Sequence, residues 1–303
     1  VGLHLHPQMH TVPAGGRADL ELTAQVDSAA AESVRTLSLR VDAVSVTSGE
    51  NLGLRITYVE QKELLGIAHA LGRLQPYVRS GFLLLLADIF FRPCGLERLV
   101  AQFRSQSRGS YVVARDDTFE ALRKNFAVLF DPTTGRVRQV IEKPRCDPGS
   151  GRLKGCGQYL FDVPVFDAIR RTPRSPLRNE YEITDALQIL IDAGEPVTVA
   201  EVVEEDVNLS TPHDLLRCNL MELDRRGGDR ILGRGAVLAA EAHVRRSILG
   251  DGVRIEGSVR LENCLVFPEV TLRGSPLSLR NHILTQEALF DCETPEGHAP
   301  DPP

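Results

Sequence analysis

The sequence contains Phe82-Leu83-Leu84-Leu85-Leu86-Ala87-Asp88, a continuous apolar run that ends at an acidic residue. A run without alternating polar residues is typical of a parallel strand that is covered on both faces. In open α/β sheets, ligands bind outside the carboxyl ends of the strands. The run therefore predicts a buried strand and a functional role for Asp88.

The flanking segments alternate between helical and extended patterns. Residues 66–78 carry apolar residues at helical spacing, residues 95–105 form a second candidate helix, and residues 110–114 form the next candidate strand. Residues 126–141 indicate two strands joined by a turn, and residues 182–193 indicate a further helix. We therefore expect a doubly wound, Rossmann-like α/β domain.

Aliphatic residues recur in the C-terminal third at steps of six, six and five, so that one coil of three short strands takes 17 residues. The recurring positions are Leu232, Leu238, Val244, Leu249, Ile255, Leu261, Val266 and Leu272. Gly233 and Gly250 each follow the first aliphatic residue of a coil, where the chain turns a corner. Hexapeptide repeats of this kind predict a parallel β-helix, whereas a plain antiparallel sheet would show a period of two with hairpin turns.

These patterns divide the chain into four parts. Residues 1–50 form a divergent N-terminal segment without a convincing helix or strand period, and residues 51–228 form the α/β domain. Residues 229–274 form the β-helix, and residues 275–303 form a C-terminal tail whose last residues have a composition typical of disorder.

Composition and charge argue against several functional classes. The chain is 42% hydrophobic and 25% charged with a net charge of −6, and no apolar run approaches the ~20 residues of a membrane span. The N-terminus lacks the pattern of a secretory signal, and no dense basic block suggests nucleic-acid binding. The six cysteines are scattered without a C-x-x-C pair, which disfavours a zinc cluster or a disulfide framework. We expect a cytoplasmic protein with reduced thiols that binds neither nucleic acid nor membranes.

Four short segments add a more specific pattern. They are Tyr58-Val59-Glu60-Gln61 with Leu65-Gly66-Ile67-Ala68-His69-Ala70, the strand end Leu86-Ala87-Asp88, Glu142-Lys143-Pro144 with Gly157-Gln158-Tyr159-Leu160-Phe161, and Arg178-Asn179-Glu180-Tyr181-Glu182-Ile183-Thr184-Asp185. In this order and spacing they resemble the sugar-1-phosphate nucleotidyltransferases over about residues 52–272. The closest resemblance is to the long form of glucose-1-phosphate thymidylyltransferase, which adds a left-handed parallel β-helix.

The resemblance implies that a sugar 1-phosphate attacks the α-phosphorus of a nucleoside triphosphate and releases pyrophosphate, with dTTP and glucose 1-phosphate as the expected substrates. It places Mg²⁺ between Asp88 and Asn208, where a carboxamide stands in for the acidic residue of the family. Asp88, Lys143 and Arg178 would be the catalytic residues, with the two cations on phosphate groups.

The resemblance also assigns binding residues. Gln61 and Gly66 would read the base, since an amide can hydrogen-bond a pyrimidine and glycine allows close backbone approach. The sugar pocket would contain Glu142, Gly157 and Glu180. A plain structural role is the alternative for each candidate: a helix cap at Asp88, a turn at Asn208, and solvated surface positions for the others.

The N-terminal segment departs from the family. Ala14-Gly15-Gly16-Arg17 matches only the first residues of the phosphate-cradling loop Gly-x-Gly-Thr-Arg-Leu-Arg-Pro, and no Pro-Lys pair precedes Gln61. Without these donors to the triphosphate, turnover should be slow. An alternative function is therefore a catalytically silent relative that binds nucleotide sugar or a partner subunit as a regulator.

A hexapeptide-repeat acyltransferase is a further alternative. It would need more coils, and His243 is the only histidine in the repeat. Assembly into a homo-oligomer is left open.

Overall fold

The computed structural model describes the backbone of three N-terminal strands, residues 57, 59 and 61–106, and residues 108–149, 151–176 and 178–293. The chain divides into two compact units, Val1–Leu64 and Leu65–Pro303. In the first unit, β1 (Leu3–Pro7), β2 (Leu22–Ser28) and β3 (Ala31–Leu37) form an antiparallel sheet in this order. The sequence predicts no strand here, because the small and polar residues of this segment do not alternate with apolar ones.

A mixed six-stranded sheet forms the centre of the second unit. Its strands are β4 (Phe82–Leu85), β6 (Ser110–Arg115), β7 (Phe126–Phe130), β8 (Val137–Glu142), β9 (Arg152–Phe161) and β10 (Val197–Ala200). The long strand β9 pairs with β6 along one edge and with β7 and β4 along the other, always antiparallel. Beside this sheet, β5 (Ile89–Pro93) pairs antiparallel with β11 (Val203–Asn208).

Helices cover both faces of the sheet. Tyr159 and Phe161 of β9 are buried on one face together with residues of α1 (Ile67–Arg73), α4 (Val165–Arg171) and α5 (Ile183–Asp192). Cys156 and Leu160 are buried on the other face with Leu99 of α2 (Leu96–Ser105). Alternate side chains of a strand point to opposite faces. The expected doubly wound α/β architecture is therefore confirmed.

Two elements near the start of this domain differ from expectation. The apolar run predicts a parallel strand covered on both faces, whereas β4 runs antiparallel to β9, and Leu83 and Leu85 are 37% and 45% exposed. An apolar run indicates a tendency to be buried and contains no information on the direction of the partner strand. The helix predicted over residues 66–78 ends at Arg73 and is followed by a 3-10 turn, Gln75–Tyr77, because Pro76 has no N–H to continue an α-helix.

The C-terminal part is a parallel β-helix in which equivalent residues recur every 17 positions. Leu232 pairs with Leu249 and Leu249 with Val266, so the predicted coil length is confirmed. The strands are β12 (Arg230–Leu232), β13 (Val237–Leu238), β14 (His243–Arg245), β15 (Ser247–Leu249), β16 (Arg254–Glu262), β17 (Leu265–Val266), β18 (Thr271–Arg280) and β19 (His282–Leu284).

Two sets of corner residues explain the regular coil length. Gly235, Gly252 and Glu269 are spaced 17 residues apart and have φ values of 71°, 70° and 61°, in the left-handed region. At the other set, Gly250 follows Leu249, and a Cβ on Gly250 would lie 2.6 Å from the backbone nitrogen of Pro268 in the next coil. Consecutive coils therefore approach too closely at this corner for a larger residue.

The β-helix continues beyond residue 274, where the hexapeptide pattern places its end. The register between β16 and β18 shifts by one residue after Gly257, so the third coil takes 18 residues. The six-residue spacing of aliphatic residues therefore does not predict this coil. A final strand, β20 (Leu289–Asp291), pairs antiparallel with β19. The disorder expected at the very end of the tail concerns residues 294–303, which lie outside the described residues.

Two remaining helices complete the second unit, α3 (Phe119–Lys124) and α6 (Pro212–Arg225). Leu216 and Leu223 of α6 are buried against Leu265 and Ile283, so the helix joins the α/β domain to the β-helix. All six cysteines are free thiols, of which four are buried, as the sequence predicts. No helix in the described part of the chain is long and apolar enough to cross a membrane.

Candidate functional site

Asp88 and Asn208 lie at adjacent strand ends. Asp88 is exposed in the turn between β4 and β5, and the next residue, Ile89, pairs with Asn208 at the end of β11. The backbone N–H of Leu209 donates to the carbonyl oxygen of Asp88 over 2.8 Å. The antiparallel β5–β11 pair thus brings together the two residues predicted to share a metal ion.

These two residues fit a hard divalent cation such as Mg²⁺. A carboxylate and a carboxamide supply oxygen ligands, and Mg²⁺ is usually held by one or two such groups together with water and substrate phosphate. Within the described residues, no group of three or more His, Cys, Asp or Glu side chains gathers as a metal site. An ion at Asp88 and Asn208 would therefore need phosphate oxygens or water to complete its coordination.

Gly157 lies beneath the same turn. Its carbonyl oxygen accepts a hydrogen bond from the Leu86 N–H over 3.1 Å, and its φ is 75°. A Cβ at this position would overlap with the Cδ1 atom of Ile89. Glycine is thus required by both backbone conformation and space next to Asp88.

Asn125, which the sequence did not single out, connects Asn208 to Lys143. The Nδ2 atom of Asn208 donates to Oδ1 of Asn125 over 2.9 Å. The backbone N–H of Lys143 donates to the carbonyl oxygen of Asn125 over 2.8 Å. Lys143 itself is exposed and has a φ of 42°, which is unusual for a residue with a side chain. Asn125 and Asn208 are 83 positions apart, so no local pattern indicates their contact.

Arg178 lies between two carboxylates. Its guanidinium donates to Glu142 over 3.2 Å and is 3.7 Å from Glu182, while Thr184 Oγ1 also donates to Glu142. Burial and the neighbouring Glu182 raise the pKa of Glu142, and Arg178 opposes this shift. Burial also raises the pKa of Glu182. Arg178 therefore stabilises two partly desolvated carboxylates, a role that the sequence does not indicate.

The loop that follows Arg178 contacts the start of α1. The Ala68 N–H donates to the Tyr181 carbonyl oxygen over 3.0 Å, and the Tyr181 N–H donates to the Leu65 carbonyl oxygen over 2.7 Å. Gly66 has a φ of 95°, and a Cβ there would lie 2.7 Å from the Tyr181 oxygen and 3.0 Å from Cβ of Glu180. The close approach at Gly66 is thus made by the Glu180–Tyr181 backbone of this chain.

Contacts and chain adjacency therefore connect nearly all predicted site residues into one continuous series, which we call the site arc. The site arc consists of Gly157, Asp88, Asn208, Asn125, Lys143, Glu142, Arg178, Glu182, Glu180, Tyr181 and Gly66. Gln61 belongs to the other compact unit, and its role in base recognition stays a prediction.

A buried ionic network supports β11, which carries Asn208. Asp206 accepts hydrogen bonds from Arg115 Nε over 2.6 Å and from Lys154 Nζ, and Asp117 is paired with the same two cations. The side chains of Lys154 and Asp206 are only 4% and 1% exposed. Two cations balance two carboxylates here, which is the condition for burying such charges. The network anchors β11 two residues before Asn208.

The part of the chain that carries these residues matches known proteins. The family model described as "Nucleotidyl transferase" matches residues 40–208. A low-salt glycan biosynthesis nucleotidyltransferase of Haloferax volcanii is 31% identical over 197 residues, covering 65% of this chain and 52% of that protein. A glucose-1-phosphate thymidylyltransferase of Streptomyces antibioticus is 32% identical over 218 residues, covering 71% and 58%. This chain thus spans little more than half the length of either relative.

A solved structure supports the same fold. A Bacillus anthracis protein, assigned as a glucose-1-phosphate thymidylyltransferase and crystallised with sucrose, matches with a TM-score of 0.50 and 26% identity. The match covers 59% of this chain and 69% of that one.

Proposed function

The chain belongs to the nucleotidyl transferase family, and we propose that it forms a nucleotide sugar and pyrophosphate from a nucleoside triphosphate and a sugar 1-phosphate. The proposed substrates are dTTP and glucose 1-phosphate, because the Streptomyces antibioticus relative carries that activity in its name. The observation that carries the proposal is the site arc, in which contacts connect residues from distant parts of the chain.

The proposed reaction needs alignment and charge neutralisation more than covalent help from the protein. A phosphate oxygen of the sugar 1-phosphate bonds to the α-phosphorus, and the bond to the β-phosphate oxygen breaks to release pyrophosphate. Lys143 is exposed and forms no ion pair with another described residue, so its ammonium group is available to hold the sugar phosphate. Asp88 and Asn208 would hold Mg²⁺, which neutralises phosphate charge when bound.

The other members of the site arc would shape the substrate pockets. Glu142 and Glu180 can accept hydrogen bonds from sugar hydroxyls, and Gly157 leaves room beside Asp88. Arg178 would act mainly by keeping Glu142 ionised and in place, since its guanidinium already contacts two carboxylates.

A catalytically silent relative that binds nucleotide sugar is the second candidate function. One observation favours it: Ala14-Gly15-Gly16-Arg17 matches only the first residues of the phosphate-cradling loop of the family, and no Pro-Lys pair precedes Gln61. The triphosphate would then lack its backbone donors, while the sugar-phosphate side of the site is retained.

Pyrophosphate release tests the proposal. The protein is incubated with Mg²⁺, glucose 1-phosphate and each nucleoside triphosphate in turn, beside Asp88→Ala and Lys143→Ala. We expect slow release that is fastest with dTTP and that falls to background in Asp88→Ala. Equal release with the Asp88→Ala protein would contradict the proposal.

Binding of a nucleotide sugar separates the two candidates. We expect Lys143→Ala to weaken binding of dTDP-glucose by about 1.5–3 kcal/mol, the range for hydrogen bonds to charged groups. Lys124→Ala is the matched control, because Lys124 is an exposed lysine at the end of α3. Binding without any pyrophosphate release identifies the silent relative, and absence of both contradicts both candidates.

A further inference from the structure

The amide of Asn125 has only one orientation that satisfies its neighbours. Asn125 follows the last residue of α3, and its Nδ2 donates to the carbonyl oxygen of Ala121 over 3.0 Å. A carbonyl oxygen only accepts hydrogen bonds, so this end of the amide must be the nitrogen. The Oδ1 atom of Asn125 therefore points away from Ala121, toward Asn208.

This orientation determines that of the next amide. Because Asn125 presents an oxygen, Asn208 must present its nitrogen, as the 2.9 Å bond from Nδ2 to Oδ1 shows. Among the hydrogen bonds of the described residues, none reaches the Oδ1 atom of Asn208. The oxygen of Asn208 is thus the end left available, and oxygen is the amide atom that ligates Mg²⁺.

We propose that Asn125 is a positioning residue, which holds the Asn208 amide with its oxygen toward the metal that Asn208 shares with Asp88. A carboxylate would not need such a device, since its two oxygens are equivalent. A carboxamide does, because half of its orientations present N–H groups to the cation. The inference rests on the proposed function, specifically on the Asp88–Asn208 metal site.

A double-mutant cycle tests this role through metal binding alone. Mn²⁺ is titrated into the full chain, and binding is followed by the relaxation enhancement of water protons, with no substrate present. We expect Asn125→Ala to raise the Mn²⁺ dissociation constant about ten-fold, the lower end for loss of a group that orients a metal ligand. The contact from Lys143 persists, because it is made to the backbone of Asn125.

The decisive measurement repeats Asn125→Ala in an Asn208→Asp background. There the ligand is a carboxylate, so we expect the loss of Asn125 to change the Mn²⁺ dissociation constant less than two-fold. Equal losses in both backgrounds would show that Asn125 has only a structural role. Asn219→Ala is the matched control, because Asn219 Nδ2 donates to the Leu215 carbonyl oxygen over 2.9 Å, four residues earlier, as Asn125 does to Ala121.

Asp88→Ala distinguishes failure of this inference from failure of the proposed function. If Asp88→Ala abolishes Mn²⁺ binding while Asn125→Ala binds like the unmodified chain, the positioning role is overturned and the metal site stands. If Asp88→Ala binds Mn²⁺ as well as the unmodified chain, the metal site itself is wrong, and the role of Asn125 falls with it. Thermal melts of each variant verify that the protein is folded.

Discussion

The β-helix and the site arc are built in opposite ways. In the β-helix, the parallel strands of successive coils pair residues that are 17 or 18 positions apart, and the same corner geometry repeats. In the site arc, contacts join residues more than 100 positions apart, such as Gly66 and Tyr181, and none repeats. Regular structure is thus specified by a spacing, whereas the site is specified by unique pairs.

The two regions also treat charge differently. The β-helix places its ion pairs on the surface, as in Arg234 with Asp251, whose side chains are 87% and 43% exposed. The α/β domain buries Lys154 and Asp206 almost completely beneath the strand that carries Asn208. A buried pair costs far more to break than an exposed one, because the remaining charge is left without water or partner.

The largest expected effect comes from breaking that buried network. We expect Lys154→Met to lower the free energy of unfolding by roughly 3–5 kcal/mol, the range for removing one partner of a buried pair. Arg234→Met makes the same change at the exposed pair and should leave the urea midpoint unchanged. Urea denaturation of both variants checks the difference. Similar midpoints would show that the buried pair of Lys154 stabilises the fold no more than the exposed pair of Arg234 does.

A smaller effect is expected from filling a corner of the β-helix. Gly250→Ala would place a Cβ 2.6 Å from the Pro268 nitrogen, so the backbone of adjacent coils must move apart. We expect a loss of about 1–3 kcal/mol in the free energy of unfolding, as for other overpacked sites. In Gly228→Ala the new Cβ would meet its nearest neighbour at 3.7 Å, an ordinary distance, and the variant should unfold like the unmodified protein. Equal stability of the two variants would argue against close contact between coils.

The smallest expected effect concerns the pH dependence of stability in the site arc. The pKa of Glu142 is raised above 4.5 in the folded chain, so the folded state holds this proton more tightly than the unfolded state does. The contribution of Glu142 to the free energy of unfolding is therefore fully present below pH 4.5 and is lost as the pH rises through the pKa of the folded state. Glu142→Gln removes this dependence, and its stability relative to the unmodified protein should improve between pH 4.5 and pH 7. Urea melts across this range check it, and a relative loss of stability with rising pH would contradict the raised pKa.

The sequence predicted well what depends on local spacing. The 17-residue coil follows from aliphatic residues that point inward at fixed intervals, and Leu232, Leu249 and Val266 are in register as expected. The helix over residues 95–105 and the strand over residues 110–114 were found within a residue or two for the same reason. The 18-residue third coil was missed, because the residue added after Gly274 breaks the six-residue pattern.

The sequence predicted the site less completely. Asp88, Asn208, Lys143 and Gly157 were proposed as site residues through a family resemblance, and contacts within the site arc connect them. The contacts of Asn125 and the Lys154–Asp206 pair could not be predicted, because each depends on a single pairing between strands or helices that are distant in the chain. The antiparallel direction of β4 was not predicted, because the hydrophobicity of a segment indicates whether it is buried and not whether its partner strand is parallel or antiparallel.

The one-residue shift between β16 and β18 determines how this chain can change in length. Elsewhere in the β-helix, an inserted residue would move the left-handed corner conformation from Gly235 or Gly252 onto a neighbour with a side chain, which does not favour it. After Gly274 the coil already accommodates an extra residue. Pro276 lies next to this position, and proline is tolerated in a strand at such an irregularity. Evolution can therefore lengthen this domain by whole coils or at this one point, which is also where a foreign peptide could be grafted.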